Sequence, residues 1–358
     1  MYGILEGVNT MKQIKSVLKK LYRSAQFFNE MDRTEYVRLD GNESVDGLPE
    51  SFVNKVLDKI SPAMLATYPN PKKCTEAIAA YLGIDRENVL VTNGSDAAIK
   101  MFFEVYIEEN DDVIIASPAF EMYEVYCNMY GAKAHNCLYS DAFDFPVDEF
   151  VDHINKGAKL AIITNPNNPT GSVLDEQRIR HILDVAERND TLVMIDEAYY
   201  WIYDQTMLHL LREYSNVVIL RTFSKILGLA GLRLGFAVAG KDMILDLKKV
   251  APPAGVNTIA LLFGEEIMNN PDVIEKLVSD FREEKEYFKN KLKNAGIEYL
   301  DTNSNYLLIP AGDNYSSVLE KLKNDKILIA YKMKKYYRVN IGNQESIDKF
   351  ISSFLGAV

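Results

Sequence analysis

Leu160-Ala-Ile-Ile-Thr164 runs directly into Asn165-Pro-Asn-Asn-Pro-Thr-Gly171. The first half is apolar throughout rather than alternating, the pattern of a strand buried on both faces of a mostly parallel sheet. The second half packs two prolines and three asparagines into a rigid turn at the strand's end. Working outward, the same kind of run recurs at Val89–Thr92, Val113–Ala116, Lys133–Leu138, Leu192–Ile195, Val217–Arg221 and Gly235–Ala239. Helical patterns separate these runs, one of them containing Ala97–Val105. The fold class read from this is α/β, with a mostly parallel central sheet in a large domain.

The texture changes near Asp272. A charged helix over Asp280–Lys293 precedes weak strands at Ile297–Leu300, Asn305–Ile309, Ile327–Ala330 and Tyr337–Ile341, then a last helix near Ser346–Leu355. This predicts a small α+β domain over 270–358, joined by an N-terminal segment over 1–67, with the large domain over 68–269. Met11–Phe28 mixes lysines with Ile14, Val17, Leu18 and Leu21 and is expected to form an amphipathic helix packed on its own or a partner subunit.

The chain has 358 residues and a formal net charge of −11, which argues against a nucleic-acid binder. Its apolar runs are too short for a membrane span. Cys74, Cys127 and Cys137 show no paired spacing, and His135, His153, His181 and His209 are scattered. A cytoplasmic protein without a disulfide framework or a metal is expected.

Ligands of parallel sheets gather at the carboxyl ends of the strands. Four groups of residues fall there. In Asn93-Gly-Ser-Asp96, Gly94 permits a sharp turn and Ser95 and Asp96 open a helix, where orphan N–H groups attract phosphate; a plain helix cap is the competing reading. In the 164–171 turn, Asn168 is placed to bond a ligand oxygen. In Val193-Met-Ile-Asp-Glu-Ala-Tyr199, Asp196 closes an apolar strand and needs a cationic partner if buried. A phosphate loop of the G-x-x-x-x-G-K-[ST] kind is absent, which disfavours a nucleotide hydrolase. Last, Arg221-Thr-Phe-Ser-Lys225-Ile-Leu-Gly-Leu-Ala-Gly-Leu-Arg233 sets one lysine among hydroxyls and arginines. A lysine held in apolar surroundings gains the neutral, nucleophilic form. Beside a phosphate cradle of Thr222, Ser224 and Arg233, it suits pyridoxal 5'-phosphate, whose aldehyde condenses with a lysine amine.

Together the ordered set N-G-S-D, N-P-N-N-P-T-G, D-E-A-Y and T-F-S-K-x7-R resembles the fold-type I, pyridoxal-phosphate-dependent aminotransferases of class I/II, most closely the histidinol-phosphate aminotransferase family. Leu39-Asp-Gly-Asn-Glu43, Ala66-Thr-Tyr-Pro69 and Tyr337-Arg-Val-Asn-Ile-Gly342 are similar to further motifs of that family. The resemblance implies that Lys225 carries the cofactor and shuttles a proton, Asp196 pairs with the ring nitrogen, and Asn168 and Tyr199 hold the phenolic oxygen. It places Gly94, Ser95, Asp96, Thr222, Ser224 and Arg233 around the phosphate and Phe120 against the ring. Tyr68 is implied to reach the cofactor of a neighbouring subunit, hence a homodimer with shared sites. Arg338 and Asn42 are implied to bind substrate, with Arg338 gripping a carboxylate.

Three positions depart from the family pattern. Phe120 stands where tyrosine is usual, Ala97 replaces a common glutamate, and Ile327-Leu-Ile-Ala330 replaces a run ending in a phosphate-binding arginine. Lys332, Lys334 or Lys335 could stand in for that charge. The function implied is transfer of an amino group from glutamate to a small phosphorylated carbonyl acceptor such as imidazole-acetol phosphate. The alternative is decarboxylation of a phosphorylated amino acid of the threonine-phosphate or serine-phosphate type, which shares the cofactor and most motifs. Intact Lys225, Asp196 and Arg233 argue against a catalytically inert binding module.

Overall fold

The computed structural model describes residues 17–18 and 31–357. Of the expected amphipathic helix over 11–28, all but Val17 and Leu18 lie outside the described residues. In chain order the elements are β1 (Val37–Leu39), α1 (Glu50–Leu57), α2 (Pro62–Ala66), α3 (Lys72–Leu82), β2 (Val89–Thr92), α4 (Ser95–Tyr106), β3 (Asp112–Ser117), α5 (Met122–Tyr130), β4 (Lys133–Leu138) and α6 (Val147–Asn155). There follow β5 (Leu160–Thr164), α7 (Glu176–Arg188), β6 (Leu192–Asp196), β7 (Val217–Thr222), β8 (Gly235–Ala239), α8 (Lys241–Val250), α9 (Thr258–Met268) and α10 (Pro271–Asn294). The last are β9 (Tyr306–Pro310), α11 (Tyr315–Asn324), β10 (Ile327–Lys332), β11 (Tyr336–Asn340) and α12 (Gln344–Leu355).

Seven strands form the large sheet in the order β2-β8-β7-β6-β5-β3-β4. All run parallel except β8, which pairs antiparallel with both β2 and β7. Every residue of β2, β5, β7 and β8 is buried, because helices cover both faces. One face carries Phe102, Phe103 and Tyr123 from α4 and α5; the other carries Phe150, Ile179 and Leu183 from α6 and α7. Phe52 and Val56 of α1 pack into the core that holds Phe223, Phe236 and Ala260. That helix therefore lies against the large sheet although it precedes residue 68. Helix starts follow side-chain capping: Asp175, Asn257 and Asn343 accept from the backbone N–H three residues on.

The small sheet has the order β1-β10-β11-β9. β1 joins β10 in parallel, so residues from both ends of the chain share one core with α10, α11 and α12. The strand expected over Ile297–Leu300 does not form. Only Leu300 bridges Leu308, with hydrogen bonds of 2.8 and 3.2 Å. Beyond it Asp301 is drawn off the sheet line by Lys285 at 2.7 Å and Lys289 at 3.0 Å. No helix among the described residues is long and apolar enough to cross a membrane.

Candidate active site

β6 delivers Asp196 to the carboxyl edge of the large sheet, where its carboxylate is 4 % exposed. Tyr123 of α5 donates to its Oδ2 at 2.8 Å and also meets Thr164 Oγ1 at 2.9 Å; the backbone N–H of Ala198 donates to Oδ1 at 3.0 Å. Burial pushes the Asp196 carboxyl up to about 6, with Asp96 adding to the effect and the Tyr123 hydrogen bond opposing it. A buried carboxylate without a bonded cation is under-compensated, and a protonated ring nitrogen would supply the missing charge.

Lys225 follows β7. Burial, with Arg338 adding to it, lowers its ammonium to about 8 against the pull of Asp96, Asp196 and Glu43. Its Nζ lies 5.9 Å from the centre of the Tyr199 ring. The Tyr199 hydroxyl accepts from Asn42 Nδ2 at 2.7 Å, and Asn42 reaches it from a backbone turn with φ of 56°. A cavity of about 340 Å³ opens beside the lysine, lined by Glu43, Phe281, Glu284 and Asn305 among others. Glu284 in its wall is pushed up to about 7 by burial and by Asp46, Asp280 and Glu283.

The phosphate-type cradle is assembled from three elements. α4 begins at Ser95 with no side chain capping it, so its first N–H groups are open to an anion. Arg233 Nη2 bonds Asp96 at 3.1 Å and its Nη1 bonds Ser224 Oγ at 3.3 Å, while Thr222 Oγ1 donates to Ser224 at 3.0 Å. Gly94 has φ of 79°, and a Cβ there would meet Arg233 Nη2 at 2.8 Å. At Gly235 a Cβ would lie 2.4 Å from the Ser95 backbone nitrogen. Glycine at these positions lets β8 and the start of α4 close up around the arginine.

From the small sheet, Arg338 on β11 donates through Nη1 to Asn168 Oδ1 at 2.8 Å and through Nη2 to the Asp40 carbonyl. Its Nε is buried without a partner, and its guanidinium carbon lies 5.3 Å over the Tyr306 ring. Lys225, Asp196, Tyr199, Asn42, Asn168 and Arg338 thus converge. Phe120 stands edge-on to Tyr123, centroids 5.7 Å apart. Tyr68 is 89 % exposed, in a surface pocket with Met64 and Lys73.

Two groups of residues that the sequence left without a role prove structural. Asn165 exchanges two hydrogen bonds with the backbone of Leu174, and Asn167 bonds the Pro118 carbonyl and Thr170, so both build the turn and only Asn168 reaches Arg338. Arg221, at the head of the lysine stretch, belongs to the core. It is fully buried, paired with Glu197 at 2.8 Å and stacked 3.4 Å over Tyr200. Tyr123 was missed altogether, because nothing local marks a tyrosine whose partner lies 73 residues away.

Pyridoxal phosphate fits what these residues offer: a depressed lysine amine, a buried carboxylate for a cationic ring nitrogen, and an uncapped helix start with an arginine for the phosphate. The family model for "Aminotransferase class I and II" matches residues 34–354. Histidinol-phosphate aminotransferase of Clostridium novyi (strain NT) is 30 % identical over 351 residues, covering 96 % of this chain and 98 % of that protein. Among solved structures, histidinol-phosphate aminotransferase from Sinorhizobium meliloti in complex with pyridoxal-5'-phosphate superposes with a TM-score of 0.87 at 18 % identity, over 98 % of both chains. A Thermus thermophilus aspartate aminotransferase mutant gives 0.80 at 18 % identity, covering 97 % of this chain and all of that one, which shows the shared fold-type I architecture. The chain therefore belongs to the class I and II aminotransferases and is a pyridoxal 5'-phosphate-dependent enzyme of the histidinol-phosphate aminotransferase-like kind.

Proposed function

We propose that this aminotransferase moves an amino group from glutamate to a small phosphorylated carbonyl acceptor, with imidazole-acetol phosphate the acceptor suggested by its relatives. The observation that carries the acceptor's phosphate is a pair of cations on the small sheet. Ala330, where the relatives' pattern calls for arginine, lies directly across from Arg338. Lys332 is two residues further along the same strand, so it shares the face of Ala330 and Arg338. Its ammonium is lowered by burial and by Arg338, the signature of two cations held close. An anionic group between them relieves that repulsion. The cavity beside Lys225 presents the carboxyls of Glu43 and of Glu284 on α10, a poorer seat for phosphate than the Lys332 side.

When bound, the cofactor supplies an electron sink for a substrate carbanion. The chain's own residues do the rest. Asp196 would balance the ring nitrogen's charge, Asn168 and Tyr199 would hold the phenolic oxygen, Ser95, Asp96, Thr222, Ser224, Arg233 and the backbone at Gly94 would hold the phosphate, and Phe120 would lie against the ring. Arg338 presents its fork to the substrate carboxylate, Asn42 orients Tyr199, and Lys225 Nζ takes the proton from the substrate Cα. Tyr68, exposed in the protomer, reaches a second subunit's cofactor in a cytoplasmic homodimer.

The test uses the enzyme converted to its amine form by glutamate. Imidazole-acetol phosphate and its dephosphorylated analogue are each offered as acceptor. The reading expects return of the aldehyde form with the phosphorylated compound, and in Lys332→Ala a KM raised about tenfold or more for it alone, as loss of one charged hydrogen bond predicts. Equal rates with both acceptors would overturn it, as would carbon dioxide release from a phosphorylated amino acid in place of transamination.

A further inference from the structure

At the far edge of the large sheet, three strands from β6, two histidines, a cysteine and a glutamate that are distant in sequence come together. We propose that Cys137, Glu149 and His153 form a zinc site, with His135 as fourth ligand, that pins the edge strand β4 to helix α6.

The donor atoms of Cys137, Glu149 and His153 all lie within 4.8 Å of one another. The geometry of the two elements produces this. Glu149 and His153 are four apart on α6, so they share one face and stand one turn from each other. His135 and Cys137 are two apart on β4, so they share one face of that strand, the one whose residues are less exposed than those between them. Cys137 packs with Phe150 and Ile154 of the same helix, which brings the two faces into contact. The His135 and His153 rings are 4.7 Å apart. Cys137 is fully buried and forms the floor; Glu149 is exposed and His153 half-buried, forming the rim through which an ion enters.

Ligand chemistry selects the metal. Thiolate, imidazole and carboxylate together suit zinc, while magnesium and calcium take oxygen donors alone. Tetrahedral zinc places its donors about 3.3–3.8 Å apart, so the three need to close by roughly 1 Å, within reach of side-chain rotation. The ion neutralises the carboxylate and the thiolate, whose proton leaves on binding. His135 lies outside the 4.8 Å group and joins it only by moving closer. Its Nε2 meets the Asp112 carboxylate at 2.7 Å and must donate there, which leaves the lone pair on Nδ1. A carboxylate behind a histidine is the usual outer support of a metal-bound imidazole. No short sequence motif encodes the site, since its four members fall on two elements 9 or more residues apart.

The test uses the cofactor-loaded protein, stripped of metal by a chelator, kept reduced, and titrated first with cobalt(II) and then with zinc. The expected result is one cobalt per chain with the strong visible bands of a tetrahedral thiolate site, bleached by one equivalent of zinc. His153→Ala and Cys137→Ser should each weaken zinc binding at least tenfold while the cofactor band and the glutamate half-reaction stay at wild-type level. Glu149→Gln serves in place of Cys137→Ser should the buried substitution unfold the chain. Pale, weakly absorbing cobalt in the wild type would overturn the proposal, as would tetrahedral bands that persist in His153→Ala.

Discussion

Arg338 Nη1 and Asn168 Oδ1 meet at 2.8 Å, joining the small sheet to the turn after β5. A residue proposed to hold the cofactor is thereby tied to the residue proposed to hold the substrate. Replacing Arg338 with lysine keeps the charge but removes the planar fork. The expected outcome is a fall in kcat/KM for glutamate of roughly 10–100-fold, mostly in KM, from the loss of bidentate carboxylate binding. Steady-state kinetics with unchanged cofactor absorbance check it. An unaltered KM would remove Arg338 from substrate binding.

Lys225 gives a pH signature in the apoenzyme. Only the neutral amine attacks an aldehyde, and its pKa in the fold is about 8 against 10.5 in the open chain. The rate of cofactor attachment should therefore rise through pH 8 and level off, followed by growth of the visible band. A rate still climbing in proportion to hydroxide at pH 10 would contradict this. The linked effect on stability has a definite sign. Between about 8 and 10.5 the unfolded chain binds more protons, so apoenzyme stability rises with pH across that window and this contribution is flat below it.

Asp196 behaves in the opposite sense. Its folded pKa of about 6 exceeds the ordinary 3.8, so the folded apoenzyme binds the extra proton between those values. Stability falls as pH rises through that interval, and the full penalty is present at pH 7. Asp196→Asn should stabilise the apoenzyme at neutral pH by up to about 3 kcal/mol while weakening cofactor binding and abolishing most activity. Denaturant unfolding of both apo forms at pH 4 and pH 7 measures it; equal stability at pH 7 would argue that the carboxylate is already well compensated.

Gly94→Ala tests the cradle. The backbone there has φ of 79° and ψ of 162°, a region almost closed to other residues, at a strain of about 1–3 kcal/mol. The new methyl also displaces the Arg233 guanidinium, which lies 2.8 Å from its position. Affinity for pyridoxal phosphate should fall about tenfold or more, whereas affinity for unphosphorylated pyridoxal changes little. Equal losses for both would place Arg233 away from the phosphate.

The sheet was legible because parallel strands buried on both faces leave uninterrupted apolar runs, and β2 and β5 begin and end where the sequence puts them. Residues that approach the site from one segment, such as Lys225 and Ser224, were legible for the same reason. What the sequence hid depends on pairs distant along the chain. Tyr123 donates to Asp196 from another layer, and Glu197 claims Arg221 only after β6 and β7 lie side by side. Asn168 was singled out in the sequence, but that Asn165 and Asn167 build the turn itself shows only in the bonds each amide makes. The Cys137–Glu149–His153 cluster was invisible because helix and strand periodicities had to be combined across the β4–α6 contact.

Pairing of Val37–Leu39 with Ile327–Ile329 has a consequence for synthesis. A ribosome releases the first of these segments nearly three hundred residues before the second, so an open strand edge waits while the intervening sheet condenses. Arg338, proposed to grip the substrate, arrives later still. A nascent chain stalled before that point would carry Lys225 and Asp196 with nothing opposite them from the small sheet.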